Sequence, residues 1–303
     1  MTRKPPVPVD PQALDAAAVA RSFGRASRSY EPAARLQQQV RDELLSRLNV
    51  LRERPARVLD LGAGTGLGTL RLKQAFPRAQ VLALDSAPAM LAQVRRRSWP
   101  WRRLHTLAAD ASRLPLADAS VDLVFSSLML QWCQPPDRVL AEAMRVLRPG
   151  GLLLLSSFGP DTLRELREAW ATVDDRVHVN RFVDMHDLGA ALQRAGAVEP
   201  VLDVDRLVLH YPDALSLMHE LKSIGAHNVN AGRSRGLTGR QSWQRMLQAY
   251  EGLRGPQGLP ATWEVVYGVA WAPAAPVRHG PAVAGESVVS AEQFAANLRQ
   301  NRR

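Results

Sequence analysis

The segment Arg57-Val58-Leu59-Asp60-Leu61-Gly62-Ala63-Gly64-Thr65-Gly66 decides the fold of this chain. A short apolar run ends in an acidic residue and continues into a glycine-rich turn, after which apolar residues recur at helical spacing. This pattern predicts a strand, a tight turn and a helix that open an α/β sheet, whose ligand crevice lies at the carboxyl ends of the strands. Glycine is needed where a ligand lies against the main chain and leaves no room for a Cβ atom.

The spacing of the glycines narrows the class of ligand. A dinucleotide fingerprint would need its third glycine at position 67, where Leu67 stands, and a phosphate-binding P-loop would need a lysine after Gly66. The pattern is instead D-x-G-x-G-x-G. Such a turn also occurs as a plain connector, so the strands that follow are needed to interpret it.

Acidic residues end the next predicted strands. Asp85 follows the strand predicted at 80–84, 19 residues after Gly66, and a carboxylate there can accept hydrogen bonds from ribose hydroxyls. Asp110 follows the strand predicted at 104–108, within reach of an adenine amino group. Acidic strand ends without a phosphate-binding lysine favour a cationic nucleoside. The alternative is a set of solvated aspartates in an unrelated α/β protein.

These motifs resemble those of the class I S-adenosylmethionine-dependent methyltransferases. The resemblance implies an α/β (Rossmann-like) seven-stranded, mostly parallel sheet, with an antiparallel last strand and helical lid segments. It also implies S-adenosyl-L-methionine as the cofactor. The implied cofactor-binding residues are Asp60, Gly62, Gly64, Gly66, Asp85, Ser86, Asp110, Ala111 and Ser127.

The organisation of the chain follows from the order of its patterns. We predict a disordered N-terminus at 1–12, a methyltransferase domain at 13–272 and a mobile C-terminal tail at 273–303. Within the domain, 13–52 would form N-terminal lid helices, 57–157 the cofactor-binding core, and 158–260 a substrate lid with the remaining sheet. Further strands are predicted at 121–125, 152–156, 201–211 and 263–271.

The charge of the chain favours acidic partners. The formal net charge is +10, and 36 of the 39 basic residues are arginine. The densest cluster, 95–103, interleaves Trp99 and Trp101 with five arginines; it could stack on RNA bases or form a solvated loop.

Composition also bears on compartment and metals. No apolar run approaches the roughly 20 residues of a membrane span, and no apolar segment typical of a secretory signal follows the N-terminus. With a single cysteine, Cys133, the chain suits a reducing cytoplasm. The histidines show no metal-binding spacing, and we expect no metal.

Motifs outside the glycine loop resemble the BioC family, the malonyl-[acyl-carrier protein] O-methyltransferases of biotin biosynthesis, over roughly 20–271. These motifs are Phe23-Gly24-Arg25-Ala26 with Tyr30, Leu130-Gln131-Trp132-Cys133, Asn180-Arg181-Phe182, Leu221-Lys222-Ser223-Ile224-Gly225-Ala226 with Arg233, and Leu237-Thr238-Gly239-Arg240.

This resemblance implies methylation of a malonyl thioester on an acyl carrier protein. A carboxylate is already ionised at neutral pH, so no catalytic base is required. The candidate substrate-binding residues are Tyr30, Gln131, Trp132, Arg181 and Arg233. Arg181 and Arg233 are the candidates for holding the malonyl carboxylate, because a bidentate arginine is its natural partner.

Two other functions stay open at this stage. The segment Phe158-Gly159-Pro160-Asp161-Thr162-Leu163-Arg164-Glu165-Leu166, with Asp187-Leu188-Gly189, also resembles a mitochondrial complex I assembly factor that hydroxylates an arginine. A methyltransferase acting on RNA is the third reading. Nucleic acid is the less favoured partner, because no appended RNA-binding module is visible.

Overall fold

The computed structural model describes residues 14–51, 53–230, 236 and 238–274. The predicted N-terminal disorder at 1–12, most of the predicted tail at 273–303, and Arg233 lie outside the described residues. No helix among the described residues is long and apolar enough to cross a membrane.

A seven-stranded sheet forms the centre of the described chain. Each predicted strand is present, and most are longer than the apolar runs that indicated them. The strands are β1 (Arg57–Leu61), β2 (Gln80–Asp85), β3 (His105–Ala108), β4 (Val121–Ser127), β5 (Leu147–Phe158), β6 (Val198–Tyr211) and β7 (Leu259–Trp271).

The strand order is β3-β2-β1-β4-β5-β7-β6. Strands β1 to β5 pair in parallel, whereas β7 runs antiparallel to both β5 and β6. The order reverses between β1 and β4, the topological position at which open α/β sheets bind their ligands. The predicted mostly parallel sheet with an antiparallel last strand is confirmed.

Helices cover both faces of the sheet. One core packs beneath the N-terminal helix that carries the buried stripe Leu36, Val40 and Leu44, and the other packs around Leu140, Leu188 and Leu192. The α-helices are α1 (Ala16–Ala26), α2 (Tyr30–Ala33), α3 (Arg35–Ser46), α4 (Leu67–Ala75), α5 (Pro88–Arg96), α6 (Pro136–Val146), α7 (Arg164–Ala171), α8 (Met185–Arg194), α9 (Ala214–Ser223) and α10 (Arg240–Glu251).

The N-terminal helices are tied to the end of α9. The Ser22 hydroxyl on α1 donates to the Gly225 carbonyl at 3.0 Å, and the Ser29 hydroxyl donates to the Ser223 carbonyl at 2.9 Å. Two segments about 200 residues apart in sequence therefore lie together above the carboxyl ends of the strands.

Candidate functional site

The glycine loop between β1 and α4 brings the main chain to the centre of the crevice. The amides of Gly62 and Ala63 donate to the Leu84 carbonyl on β2, at 2.8 and 2.9 Å. Gly62, Gly64 and Gly66 have φ values of +79°, +54° and +86°, the left-handed region that favours glycine.

The three glycines leave different spaces around them. A Cβ on Gly62 would lie 2.2 Å from Cγ of Met129, and one on Gly66 would lie 2.8 Å from Cγ2 of Val94. A Cβ on Gly64 would meet nothing within 4 Å. Gly62 and Gly66 therefore permit close packing, whereas Gly64 keeps open the space in front of the loop.

Asp85, at the end of β2, is held by backbone amides. Its Oδ2 accepts a hydrogen bond from the Gly64 amide at 2.9 Å, and its Oδ1 accepts one from the Ala87 amide at 2.7 Å. Burial raises the pKa of this carboxyl, and the amide hydrogen bonds act in the opposite direction. The carboxylate is thus oriented, with lone pairs left for a ligand.

A cavity of about 430 Å³ opens in front of Gly64 and Asp85. Its size falls in the range of small-molecule sites. Of the predicted cofactor residues, it is lined by Gly62, Gly64, Asp85, Ser86, Asp110, Ala111 and Ser127. The donor cavity, as this space is called below, therefore collects residues from the ends of four neighbouring strands.

Asp60 lies deeper, at the end of β1. It is 3% exposed and accepts a hydrogen bond from the Thr69 hydroxyl at 2.5 Å. Burial raises its pKa to about 7. It lines a smaller cavity of about 70 Å³, which shares Tyr30, Gly62, Gly64 and Ser127 with the donor cavity.

Three residues of α3 that the sequence did not indicate also line this smaller cavity. They are Gln37, Gln38 and Arg41, and Oε1 of Gln37 is buried without a hydrogen-bond partner among the described residues. All three belong to a helix whose sequence shows only its apolar stripe. Polar residues on the other face look like ordinary solvent-exposed positions until the helix is packed over the glycine loop.

A third cavity, of about 100 Å³, adjoins the donor cavity on the side of β5 and is called the acceptor cavity below. The two share Phe23, Tyr30, Leu128 and Trp132 as walls. The remaining lining of this acceptor cavity is largely apolar and includes Phe158, Leu163, Leu166, Phe182 and Trp263. A small group that enters it would lie directly beside the ligand of the donor cavity.

Several polar side chains of the acceptor cavity are uncharged hydrogen-bonding groups. The Gln131 amide donates to the Leu128 carbonyl at 2.8 Å, and Tyr30 and Asn180 also belong to the lining. Burial, followed by the charge of Asp85, raises the pKa of Tyr30 to about 12. The Tyr30 hydroxyl therefore stays protonated at neutral pH and can donate a hydrogen bond.

The two arginines predicted to hold a carboxylate are not both described. Arg181 is exposed and is absent from the cavity lining, although its neighbours Asn180 and Phe182 are part of it. Arg233 lies outside the described residues. Among the described residues, no arginine or lysine lines the acceptor cavity.

Comparison with known proteins places the chain in a family. A methyltransferase domain model matches residues 59–155. The malonyl-[acyl-carrier protein] O-methyltransferase of Laribacter hongkongensis (strain HLHK9) is 53% identical over 87% of this chain and 92% of its own length. The chain belongs to the malonyl-[acyl-carrier protein] O-methyltransferase family.

Other relatives agree. The malonyl-[acyl-carrier protein] O-methyltransferase of Gallionella capsiferriformans (strain ES-2) is 46% identical over 89% of this chain and 96% of its own length. The biotin biosynthesis bifunctional protein BioHC of Cellvibrio japonicus (strain Ueda107) is 45% identical over 84% of this chain and 50% of its own length. Of the three readings of the sequence, these relatives support membership of the malonyl-[acyl-carrier protein] O-methyltransferase family.

Solved structures support the fold alone. The YcgJ protein from Bacillus subtilis has a TM-score of 0.56 at 14% identity and is covered over 98% of its length, against 77% of this chain. Phosphoethanolamine N-methyltransferase 2 from Haemonchus contortus, in complex with S-adenosyl-L-methionine, has a TM-score of 0.52 at 16% identity. That match covers 82% of this chain and 57% of the other. The predicted class I methyltransferase fold is confirmed.

Proposed function

We propose that this chain transfers the methyl group of S-adenosyl-L-methionine to the free carboxylate of a malonyl thioester on an acyl carrier protein, forming the methyl ester. The relatives that are 45–53% identical carry this activity in their names. The observation that carries the proposal is that the donor cavity adjoins a small, largely apolar cavity, with Tyr30 and Trp132 lining both. The BioHC relative suggests that the product enters biotin biosynthesis.

The residues of the donor cavity fit a cationic nucleoside. Gly64 leaves space for a ligand against the main chain, Asp85 offers an oriented carboxylate for a ribose diol, and Asp110 lies at the adjacent strand end. Beyond them, Asp60 and the unpartnered Oε1 of Gln37 offer acceptors for an ammonium group, and Arg41 offers a cation for a carboxylate. When bound, S-adenosyl-L-methionine supplies a methyl group on a positively charged sulfur.

The chain does not need a catalytic base for this reaction. The malonyl carboxylate, with an ordinary pKa of about 4, is ionised at neutral pH and is itself the nucleophile. The work of the site is to align oxygen, methyl carbon and sulfur, and such positioning can contribute about 7–11 kcal/mol. Tyr30 and Trp132 stand between the two cavities and are placed to set that alignment.

The uncharged polar side chains of the lining suit a reaction in which charge disappears. A carboxylate and a sulfonium cation become a neutral ester and a neutral thioether, so a strong ion pair to the carboxylate would stabilise the ground state more than the transition state. Hydrogen bonds from the Tyr30 hydroxyl and from amides such as Asn180 would orient the carboxylate with less loss of nucleophilicity. We propose Arg233 as the residue that makes a charged contact with the malonyl carboxylate.

The apolar walls of the acceptor cavity give a reason why the charged substrate and its uncharged product would be held differently. The walls of the acceptor cavity include apolar side chains such as Phe158 and Trp263, which would limit the access of water to the reacting atoms. A methyl ester carries no charge, so the product loses the interactions that would hold the carboxylate. We propose that the reaction takes place in the cytoplasm, where a single half-buried cysteine, Cys133, is stable as a thiol.

The deciding experiment follows labelled methyl groups from S-adenosyl-L-methionine to carrier proteins. Malonyl-carrier protein should become labelled as a base-labile ester, whereas acetyl-carrier protein, which lacks the free carboxylate, should not. Failure to label the malonyl form, with S-adenosylhomocysteine still bound by the enzyme, would refute the proposed acceptor and leave the donor cavity in place.

A further inference from the structure

Three exposed cations lie near one another at the acceptor side of the molecule. They are Arg25 at the end of α1, Arg28 between α1 and α2, and Lys222 at the end of α9. None of them forms an ion pair with another described residue. We call this surface the basic rim.

Hydrogen bonds hold the elements of the basic rim together. The Ser29 hydroxyl, next to Arg28, donates to the carbonyl of Ser223, next to Lys222. A Cβ on Gly225 would lie 3.1 Å from Cβ of Ala26, which shows how closely the ends of α1 and α9 meet. The three cations are thus brought together by tertiary packing.

His227 connects the basic rim to the acceptor cavity. It lines that cavity together with its neighbour Asn228. Burial lowers the pKa of His227, and the charges of Arg25 and Lys222 lower it further. Both cations therefore act on the wall of the acceptor cavity, which places the rim beside the site where the acceptor group would enter.

Stabilisation of helix ends explains the position of only two of these three cations. Arg25 and Lys222 lie in the last turns of their helices, where a cation offsets the negative end of the helix dipole. Arg28 lies outside both helices and has no such role. The absence of acidic partners for all three, within the described chain, leaves their charge available to another molecule.

The chain has a second basic surface, at residues 95–103, with which the basic rim can be compared. Residues 95–103 expose Trp99 at 53% and Trp101 at 82%, with the two rings stacked 5.6 Å apart. Arg97 in this segment is already paired with Glu31 and donates to the Thr65 carbonyl. No residue of 95–103 lines either the donor or the acceptor cavity.

We propose that the basic rim is the docking surface for the acidic carrier protein that brings the malonyl thioester. This inference rests on the proposed function and adds the face at which the partner binds. Charge complementarity selects an acidic protein, and the position of the rim beside His227 lets a tethered acyl group enter the acceptor cavity. Exposed charges act over about 8 Å at physiological ionic strength, so docking here is sensitive to salt.

The test compares two triple variants that change the net charge equally. One carries Arg25→Glu, Arg28→Glu and Lys222→Glu; the matched control carries Arg95→Glu, Arg96→Glu and Arg103→Glu. Affinity for malonyl-carrier protein is measured by surface plasmon resonance, and kcat/KM is measured with malonyl-carrier protein and with malonyl-N-acetylcysteamine. Titration with S-adenosylhomocysteine reports whether each variant keeps its donor cavity.

We expect the rim variant to lose at least about tenfold in affinity and in kcat/KM for malonyl-carrier protein, and less than about twofold with the small thioester, because attraction between opposite charges is lost only for the large partner. The control variant should change by less than about twofold with both substrates. Equal losses in the two triple variants, or a larger loss in the control, would overturn the assignment of this face.

Two further outcomes separate a failure of the proposed function from a failure of the docking surface. If the wild-type chain binds malonyl-carrier protein but methylates no malonyl substrate, the proposed function fails and the binding comparison still decides the docking face. If the charge-reversed triple variant loses binding of S-adenosylhomocysteine, a neutral triple variant with Arg25→Gln, Arg28→Gln and Lys222→Gln is measured in its place. This variant should flatten the salt dependence of carrier affinity, and an unchanged salt dependence would refute the basic rim.

Discussion

The backbone amide of Gly64 donates a hydrogen bond of 2.9 Å to the carboxylate of Asp85. It joins the loop after β1 to the end of β2, so that loop and acid form one surface of the donor cavity. The bond orients Asp85 before any ligand arrives, which reduces the ordering cost of binding.

We expect Asp85→Ala to weaken the binding of S-adenosylhomocysteine. A lost hydrogen bond to a charged group costs about 1.5–3 kcal/mol, equivalent to roughly 10- to 150-fold in affinity. Isothermal titration calorimetry measures the change. Asp187→Ala, which removes an exposed acid in the first turn of α8, is the control and should leave affinity unchanged. Wild-type affinity in the Asp85 variant would show that this carboxylate does not contact the ligand.

Gly64→Val should abolish measurable binding, because its side chain would fill the open space that faces the donor cavity. Gly150 offers a matched control: it also has a positive φ, of +73°, and also has nothing within 4 Å of a built Cβ. Both substitutions introduce backbone strain of about 1–3 kcal/mol, but only the first should affect the ligand. Similar affinities in the two variants, measured by the same titration, would contradict the position assigned to Gly64.

Tyr30→Phe should lower kcat/KM for malonyl-carrier protein by roughly 10- to 150-fold, the effect of losing one hydrogen bond to a charged oxygen. Affinity for S-adenosylhomocysteine should change little, because the ring that contacts both cavities is kept. The pKa of Tyr30 is raised to about 12 by burial, so its hydroxyl remains a donor throughout the neutral range. The wild-type kcat should therefore stay level from about pH 6 to about pH 9. A steep rise in kcat over this range would indicate a catalytic base instead.

Alanine variants of the two candidate arginines should differ in their activity on malonyl-carrier protein. Arg181→Ala is expected to have the smaller effect on turnover, because Arg181 is exposed and does not line the acceptor cavity. Arg233→Ala should lower kcat/KM for malonyl-carrier protein while cofactor affinity stays normal. Steady-state kinetics of both single variants and the double variant measure the difference. Full activity in the double variant would exclude an arginine clamp at either position.

Asp60 should give the stability of the protein a distinct dependence on pH. Burial raises its pKa from 3.8 to about 7, so the folded state binds this proton more tightly than the unfolded state. The stabilisation is complete below about pH 4 and is lost as pH rises through 7, at about 1.4 kcal/mol for each pH unit. Asp60→Asn cannot ionise and should lack this loss.

Urea denaturation of the wild type and of Asp60→Asn from about pH 5 to about pH 8 tests this expectation. The free energy of unfolding of the wild type should fall relative to that of the variant as pH rises. The Thr69 hydroxyl can still donate to the amide oxygen of asparagine, so the variant keeps the local hydrogen bond. A difference between the two proteins that does not change with pH would mean that Asp60 titrates alike in the folded and unfolded states.

Local sequence was sufficient to predict several residues that line the donor cavity, because these residues follow strands directly. Asp85 and Asp110 come at the ends of β2 and of the short β3, and parallel strands bring such ends to one edge. The same reasoning assigned Gly66 to the cofactor, but its α-carbon faces Val94 on α5 and it is absent from the lining of the donor cavity. Spacing predicts a turn, and only packing shows which glycine of that turn faces the donor cavity.

The sequence by itself determined the succession of strands along the chain, the glycine loop and the acidic strand ends, because each consists of consecutive residues with a fixed backbone period. Tertiary structure alone decided how α1 to α3 and the end of α9 contribute to the acceptor cavity, which residues of α3 reach the glycine loop, and that Arg25 and Lys222 lie near His227 in the cavity wall. Contacts between segments about 200 residues apart, such as Ser22 with Gly225, depend on the packing of whole helices and leave no local pattern in the sequence.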